Sequence, residues 1–571
     1  MPKLKPGLMN LLIPTLVFTL LFAIMLLRMD RQPLQPYGTD AAHYIEHTAR
    51  LDLVQTLAKA DFGPHGGDTI GSFIEDLDGS FPPLLHLVTA AAGAMGSHSV
   101  AGVQWMGLLW LLLLAAAIAG IARTLTGSNA IAAASCCAVG LLPAVHASAT
   151  RYYYDLPMTS LLWLMVLALL ALGQRAVLAS LLTGLLFFAA CITKWTALPF
   201  GLLMIAGAAL CRIDSNSATT SKDLPRQVMA AVAAVVLASI ATVVFLDLAG
   251  NHDSFSAMLG DIGERGEIWG PQGVDTGRFA AFSDHILRDL QPLSAQRLRF
   301  YGVRTVTSVF SPGLLLMLLA LSAVWALRSR RGWTLIACTV AGQGAFLLLR
   351  IPPTDERFVL TMAPALALTA ALGWGKLSTA TRIPISVVFI ALSFAVAADF
   401  HLAPRDADSG PKRAIGEEGL SDLMLWGLND SSDQRGWARY DQQRDNRDGA
   451  REALWSQLST CKADVFKVAS ERSLVSETGA RGDLYWLRYR SRLSELQEAG
   501  RPRRVLLSCD EANQDETQLA LSAVRPGAEP RRPRCIRASA WQLEALVAVG
   551  TEGQRVAFWS PNGKTLCDGL K

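Results

Sequence analysis

Four short stretches of this chain set carboxylates and cations within a few residues of one another, each beside a long apolar run. YGTDAAHYIEHTARL (37–51) carries Asp40, His43 and Tyr44, and TRYYYDLPMTSLLWL (150–164) carries Arg151, Tyr152 to Tyr154 and Asp155. CITKWTALPF (191–200) supplies Lys194 and Trp195, and RIPPTDERFVLTMAP (350–364) supplies Arg350, Asp355, Glu356 and Arg357. A carboxylate within hydrogen-bond reach of a hydroxyl can take its proton as a nucleophile forms. Cations fixed in a water-poor site stabilise growing negative charge, and Arg can grip anionic oxygens in a bidentate fork.

Each stretch also has a plainer reading. Lys, Arg, Trp and Tyr at membrane edges commonly anchor helices, which would account for Tyr152 to Tyr154 and Trp195. Asp155 stands next to Pro157 and suits a helix start, where Asp serves as a cap. Arg350 to Arg357 could be a solvated turn, and His43 could be structural. A carboxylate is a poor interfacial anchor, which sets Asp155 apart from its neighbours.

The elements that must position these residues are helices in lipid. The chain of 571 residues is 51% hydrophobic and only 18% charged, too apolar for a soluble enzyme of this length. Residues 401–571 hold 26 Lys and Arg and 25 Asp and Glu, about half of all the charges in well under a third of the chain. An apolar unit, 1–400, is therefore expected to give way to a water-exposed unit, 401–571. A net charge of +4 gives no reason to invoke nucleic acid.

Leu8–Leu27 is a run of twenty residues without a charge, enough to cross roughly 30 Å of hydrocarbon as a helix. Lys3 and Lys5 precede it, so its start is expected to stay in the cytoplasm and Asp40 to emerge outside. The run is longer than a signal-peptide core and lacks a small-x-small cleavage site, so it reads as a retained helix. Further apolar runs lie near 103–122, 128–147, 156–173, 176–192, 197–211, 228–248, 309–327, 333–349, 358–374 and 383–400, giving about eleven crossings. The turns then expected inside carry Arg123; Arg175; Arg212, Lys222 and Arg226; Arg328, Arg330 and Arg331; and Lys376 and Arg382. Every inside turn is basic, as the positive-inside rule requires. Phe81–Gly96 is short and opened by Pro82 and Pro83, so it reads as a helix lying at the outer interface within a first loop of about 29–102. With that arrangement all four polar stretches reach the outer face. A second long loop, about 249–307, carries Asn251, His252, Asp253, Glu264, Arg265, Glu267 and Trp269 and could cover a site as lid loops do.

An odd number of crossings puts 401–571 outside. Asp483–Ala499 reads as a helix, and Arg504–Ser508 and Arg555–Trp559 read as strands, so an α/β unit is expected. It holds Cys461, Cys509, Cys535 and Cys567, enough for up to two disulfides in any of three pairings, and no CxxC spacing that would suggest zinc.

The motifs come in a telling order. Asp40 and Tyr44 (Asp-x-x-x-Tyr) follow the first helix, then Pro82–Leu84, then Arg151, Asp155 and Pro157 (Arg-x-x-x-Asp-x-Pro). Thr193, Lys194 and Thr196 come next, and Glu356–Phe358 leads into Ala363–Ala365. Over about 1–375 this resembles the GT-C class of integral-membrane glycosyltransferases, in particular the branch of the protein O-mannosyltransferases and lipid A aminoarabinose transferases. The chain departs from that pattern at Ala41, where an acidic residue often follows the Asp, and at Phe358, where Tyr is common.

The resemblance implies a polytopic all-α membrane domain of the inner or plasma membrane, with an extracytoplasmic α/β domain behind it. It implies transfer of a sugar from a polyprenyl-phosphate donor to a hydroxyl of a protein, lipid or glycan acceptor, with inversion. Asp40 would be the base, and Lys194, Arg151, Arg350 and Arg357 would hold the leaving phosphate. Asp155 would orient the base, bind acceptor, or hold a divalent cation (Mg or Mn) with Asp40. Glu356, Tyr44 and His43 would line the substrate site. Two rivals are a transporter, whose charges would sit nearer the midplane, and an outer-face ligase or polymerase of diphosphate-linked glycans.

Overall fold

The structure is a computed structural model. It describes residues 6–31, 84–94, 100–150, 153–172, 175–194, 196–215, 231–241, 305–328, 333–344 and 359–402, and, beyond them, 405–406, 410–411, 453–468, 504–506, 518–524, 527–530, 541–549 and 555–567, with isolated positions between.

Each apolar run is helical among the described residues. In chain order the helices are α1 (Pro6–Arg31), α2 (Leu84–Ala94), α3 (Val100–Thr126), α4 (Asn129–Gly140), α5 (Pro143–Ala149), α6 (Asp155–Ala171), α7 (Ala176–Cys191) and α8 (Ala197–Ser215). After a helical stretch at 231–241 come a π-helical turn at Thr305–Phe310, α9 (Pro312–Arg328), α10 (Trp333–Ala337) continuing as a π turn over Cys338–Gly342, α11 (Ala363–Trp374) and α12 (Thr379–Leu402). Trp105–Thr126 and Thr379–Ala398 are long and apolar enough to cross a membrane by themselves. Large apolar side chains stay exposed along the helices, among them Leu16, Leu185, Leu316, Ile383 and Val387. In water such faces would aggregate; in lipid they are the solvated surface.

One expected crossing, 128–147, is not a single straight helix. It is two helices, α4 and α5, bent by 67° at Leu141 and Leu142. Pro143 explains the bend, because it cannot donate a backbone hydrogen bond and pushes the residue before it into extended backbone. Leu142 accordingly sits at φ −65°, ψ 129°. The short α5 is buried, and its His146 places Nδ1 3.0 Å from Nε2 of His401 at the end of α12.

Small residues let the helices touch backbone to backbone, the usual basis of helix association in lipid. A Cβ on Gly373 of α11 would lie 1.7 Å from the Leu321 carbonyl oxygen of α9, and one on Gly107 of α3 would lie 2.1 Å from the Ala149 carbonyl of α5. Ser160 of α6 donates to the Trp110 carbonyl of α3 at 2.8 Å, tying the helix that carries Asp155 into the bundle.

The charged unit contains a five-stranded mixed sheet. After a two-residue pair, β1 (Arg405–Asp406) and β2 (Gly410–Pro411), come β3 (Val465–Val468), β4 (Arg504–Leu506), β5 (Gln518–Val524), β6 (Trp541–Ala548) and β7 (Arg555–Pro561), in sheet order β4-β3-β5-β7-β6. The strands read from the sequence near 504 and 555 are β4 and β7. β3 pairs parallel with β4 and β5, while β7 runs antiparallel to β5 and β6. Side chains alternate in period two: Leu519, Leu521, Val556 and Phe558 face one core, and Ala520, Val524, Ala557 and Trp559 the other. Of the four cysteines expected to pair, Cys461 and Cys567 form a disulfide beneath the first core. Cys509, Cys535 and most of the helix expected over 483–499 lie outside the described residues. Glu544 on β6 accepts the backbone N–H groups of Leu566 and Cys567 and so fixes the segment that carries the bond.

Two outcomes are expected. Breaking Cys461–Cys567, which closes a loop of 106 residues, removes about 4–5 kcal/mol in the chain-entropy account, read as a lower denaturation midpoint of C461S/C567S protein. Gly373→Val forces α9 and α11 apart and costs about 1–3 kcal/mol or more, read as a lower melting temperature in detergent, whereas Gly302→Ala, in open space, costs far less.

Candidate active site

Asp155 is the first residue of α6, with Tyr154 before it at φ −72°, ψ −18° and making no side-chain cap. Asp155 is therefore a helical residue and not the cap. Pro157 sits in the first turn, where its missing N–H would have had no intrahelical acceptor. The carboxylate lies near the N-terminal end of α6, where the partial positive charge of the helix attracts an anion.

Lys194 comes from the turn joining α7 to α8. That turn is stiff: the Lys194 N–H donates to the Ala190 carbonyl at 3.0 Å, the Ala197 N–H donates to the Lys194 carbonyl at 2.9 Å, and the Thr193 hydroxyl donates to the Ala189 carbonyl at 2.8 Å. Thr196 reaches the Met158 sulfur at 3.4 Å, fastening the turn to α6. The result is an ion pair, Lys194 Nζ to Asp155 Oδ1, at 2.5 Å, with the Asp side chain 4% exposed and the Lys 18%. One step deeper along α6, Thr159 meets Thr361 at 3.2 Å and Trp163 Nε1 donates to the Thr361 carbonyl at 3.2 Å, so α6 is also held to the turn before α11.

A third element closes over the pair. The Leu84 N–H of α2 donates to the Ile192 carbonyl at 3.0 Å, and His86 Nε2 shares a hydrogen bond with the Tyr154 hydroxyl. Both side chains are buried, with rings edge to face at 87° and centroids 5.5 Å apart. The short helix expected at the interface after Pro82 and Pro83 thus packs on the two elements that carry the ion pair.

Of the residues singled out from the sequence, the structure brings Asp155 and Lys194 together. Asp40, His43, Tyr44, Arg151, Arg350, Glu356 and Arg357 lie outside the described residues. His86 and Thr361 were not foreseen. A single His inside an apolar segment was the available signal for His86; nothing marks Thr361 in the sequence. No group of three or more His, Cys, Asp or Glu among the described residues could hold a metal ion. The Asp155 carboxylate, one half of the cation site considered above, is matched instead to an ammonium. Asp40, the other half of that site, lies outside the described residues.

No protein-family model and no curated protein matches the chain. Solved structures do. ArnT from Cupriavidus metallidurans bound to undecaprenyl phosphate aligns with a TM-score of 0.55 at 12% identity, over 95% of this chain and 97% of that one. The same protein in the apo state gives 0.50 at 12% identity, with the same coverage. The Archaeoglobus fulgidus oligosaccharyltransferase in its apo form aligns at 0.40 and 12% identity over 68% of this chain and 54% of that one, too distant to argue from. The likeness to ArnT is one of fold, and it is the GT-C fold anticipated from the order of the motifs. The chain is an integral membrane protein of that architecture, helices first and a small sheet-containing unit after.

The ion pair gives a direct expectation. Lys194→Met strands a buried carboxylate and destabilises the protein by about 3–5 kcal/mol, while adding Asp155→Asn restores much of the loss. Melting temperatures of the two variants in detergent check this, and equal losses in both would deny that the two charges act as a pair.

Proposed function

We propose that the protein is a membrane glycosyltransferase that moves a sugar from a polyprenyl-phosphate donor to a hydroxyl acceptor at the extracytoplasmic face. The observation that carries this reading is the Lys194–Asp155 ion pair, set where three elements of a GT-C fold meet. The fold supports it, as does a lysine at a helix end, where a lipid phosphate entering sideways from the bilayer would arrive. The remaining assignments belong to the same proposal: eleven crossings, a membrane unit of 1–400 in the inner or plasma membrane, and 401–571 outside. The Cys461–Cys567 bond suits that placement, since disulfides persist in oxidising compartments.

The chemistry follows from charge. The acceptor oxygen forms a bond to the anomeric carbon from the face opposite the phosphate. The bond from that carbon to the phosphate oxygen breaks, and its electron pair leaves with the phosphate, which gains one negative charge. Asp40 takes the acceptor proton as the hydroxyl attacks. Lys194, with Arg151, Arg350 and Arg357, meets the charge that grows on the leaving group, where fixed cations act most strongly. In the absence of donor, Asp155 holds Lys194 in place and offsets the cost of burying an unpaired ammonium. Tyr44, His43 and Glu356 line the sugar and acceptor side.

The test is transfer by purified protein from a polyprenyl-phosphate sugar, with release of polyprenyl phosphate as the readout. Lys194→Ala is expected to lose about a hundredfold or more in kcat, the scale of one preorganised charge contact in the transition state. Asp40→Asn is expected to lose transfer with donor binding retained. Full turnover by both variants would sink the proposal.

A further inference from the structure

Lys194 and Asp155 reach one another from two elements that share no short connection, and α2 touches both of them. Its first amide holds Ile192, two residues before Lys194, and its His86 holds Tyr154, the residue before Asp155. Position 86 is buried. A histidine there is costly to bury unless its ring nitrogen is used, and Tyr154 is where it is used. Thr89, the next polar side chain of α2, bonds back to the Leu85 carbonyl of its own helix at 2.8 Å. His86 reaches across to another element.

We propose that His86, through Tyr154, is a positioning residue: it fixes the first turn of α6 and so sets where Asp155 holds the Lys194 ammonium toward an incoming lipid phosphate. Tyr154 has helical backbone angles and spends no side-chain atom on capping α6. The Tyr154 carbonyl accepts the Met158 N–H at 3.0 Å, so Tyr154 belongs to the first turn of α6, and releasing its phenol loosens that turn beside Asp155. A misplacement of about 1 Å in a positioning element is enough to cost much of its effect. The inference rests on the polyprenyl-phosphate reading above, and its test separates the two.

The probe is undecaprenyl phosphate alone, titrated into full-length protein in dodecyl maltoside micelles. Wild type is expected to bind and K194A to bind far more weakly; no binding by wild type overturns the donor reading and this inference together. Given binding, Tyr154→Phe and His86→Phe each weaken it about tenfold, the scale of one hydrogen bond that folds into position. His86→Gln, whose amide can still meet the phenol, retains most of it. In the K194A background Tyr154→Phe lowers the residual binding no further, because the two changes act on one interaction. Equal losses in both backgrounds, or wild-type affinity in Tyr154→Phe and His86→Phe, overturn the positioning role while leaving the donor reading intact. Binding is measured below the melting temperature of each variant, which for K194A is lowered by the loss of the ion pair.

Discussion

Taking a carboxylate out of water costs several kcal/mol, and the geometry around Asp155 meets that cost. The side chain is 4% exposed, at the start of a helix whose dipole favours an anion, and it faces an ammonium at 2.5 Å. The backbone that bears the ammonium is held by a turn hydrogen-bonded at both ends and tied to α6 through Thr196. The helix cannot rotate, because Ser160 holds it to α3 and Trp163 holds it to the turn before α11. A charge pair of this kind is weak support for stability in itself.

The same logic explains where the helices are irregular. In lipid each broken backbone hydrogen bond must find another partner, so breaks are tolerated only inside the protein. The bend between α4 and α5 is such a break: Leu141, Leu142 and all of α5 are buried, and the histidine pair closes it against α12. Contacts through Gly373 and Gly107 put backbone against backbone where side chains would hold helices apart. The sheet-containing unit obeys the rules of water instead, with alternating faces, two cores and a disulfide fastening the end of its chain.

Composition and periodicity carried a great deal. A charge-free run of twenty residues has few alternatives to a helix, and each such run is helical where the structure describes it. The β4 and β7 strands were legible because β-branched and aromatic residues cluster there between polar stretches. Asp155 stood out because a carboxylate is a poor interfacial anchor, and Lys194 because it takes its place in the order of the motifs. The Pro143 bend was legible in principle, since Pro lacks the N–H, yet hydropathy averaged over a window hides it.

What tertiary structure alone decided is who meets whom. Asp155 and Lys194 are separated by the lengths of α6 and α7 and the turn between them, and only the packing of α6 against the α7–α8 turn makes them partners. His86 looks like one polar residue in a greasy helix until Tyr154, sixty-eight positions later, receives it. Two of four plausible cysteines became a bond because β6 and β7 bring the chain end back beneath the sheet. Local pattern is set by the solvent each residue must face, and a sequence records that directly. Long-range pairing depends on how several helices share one volume, which no single stretch of residues specifies.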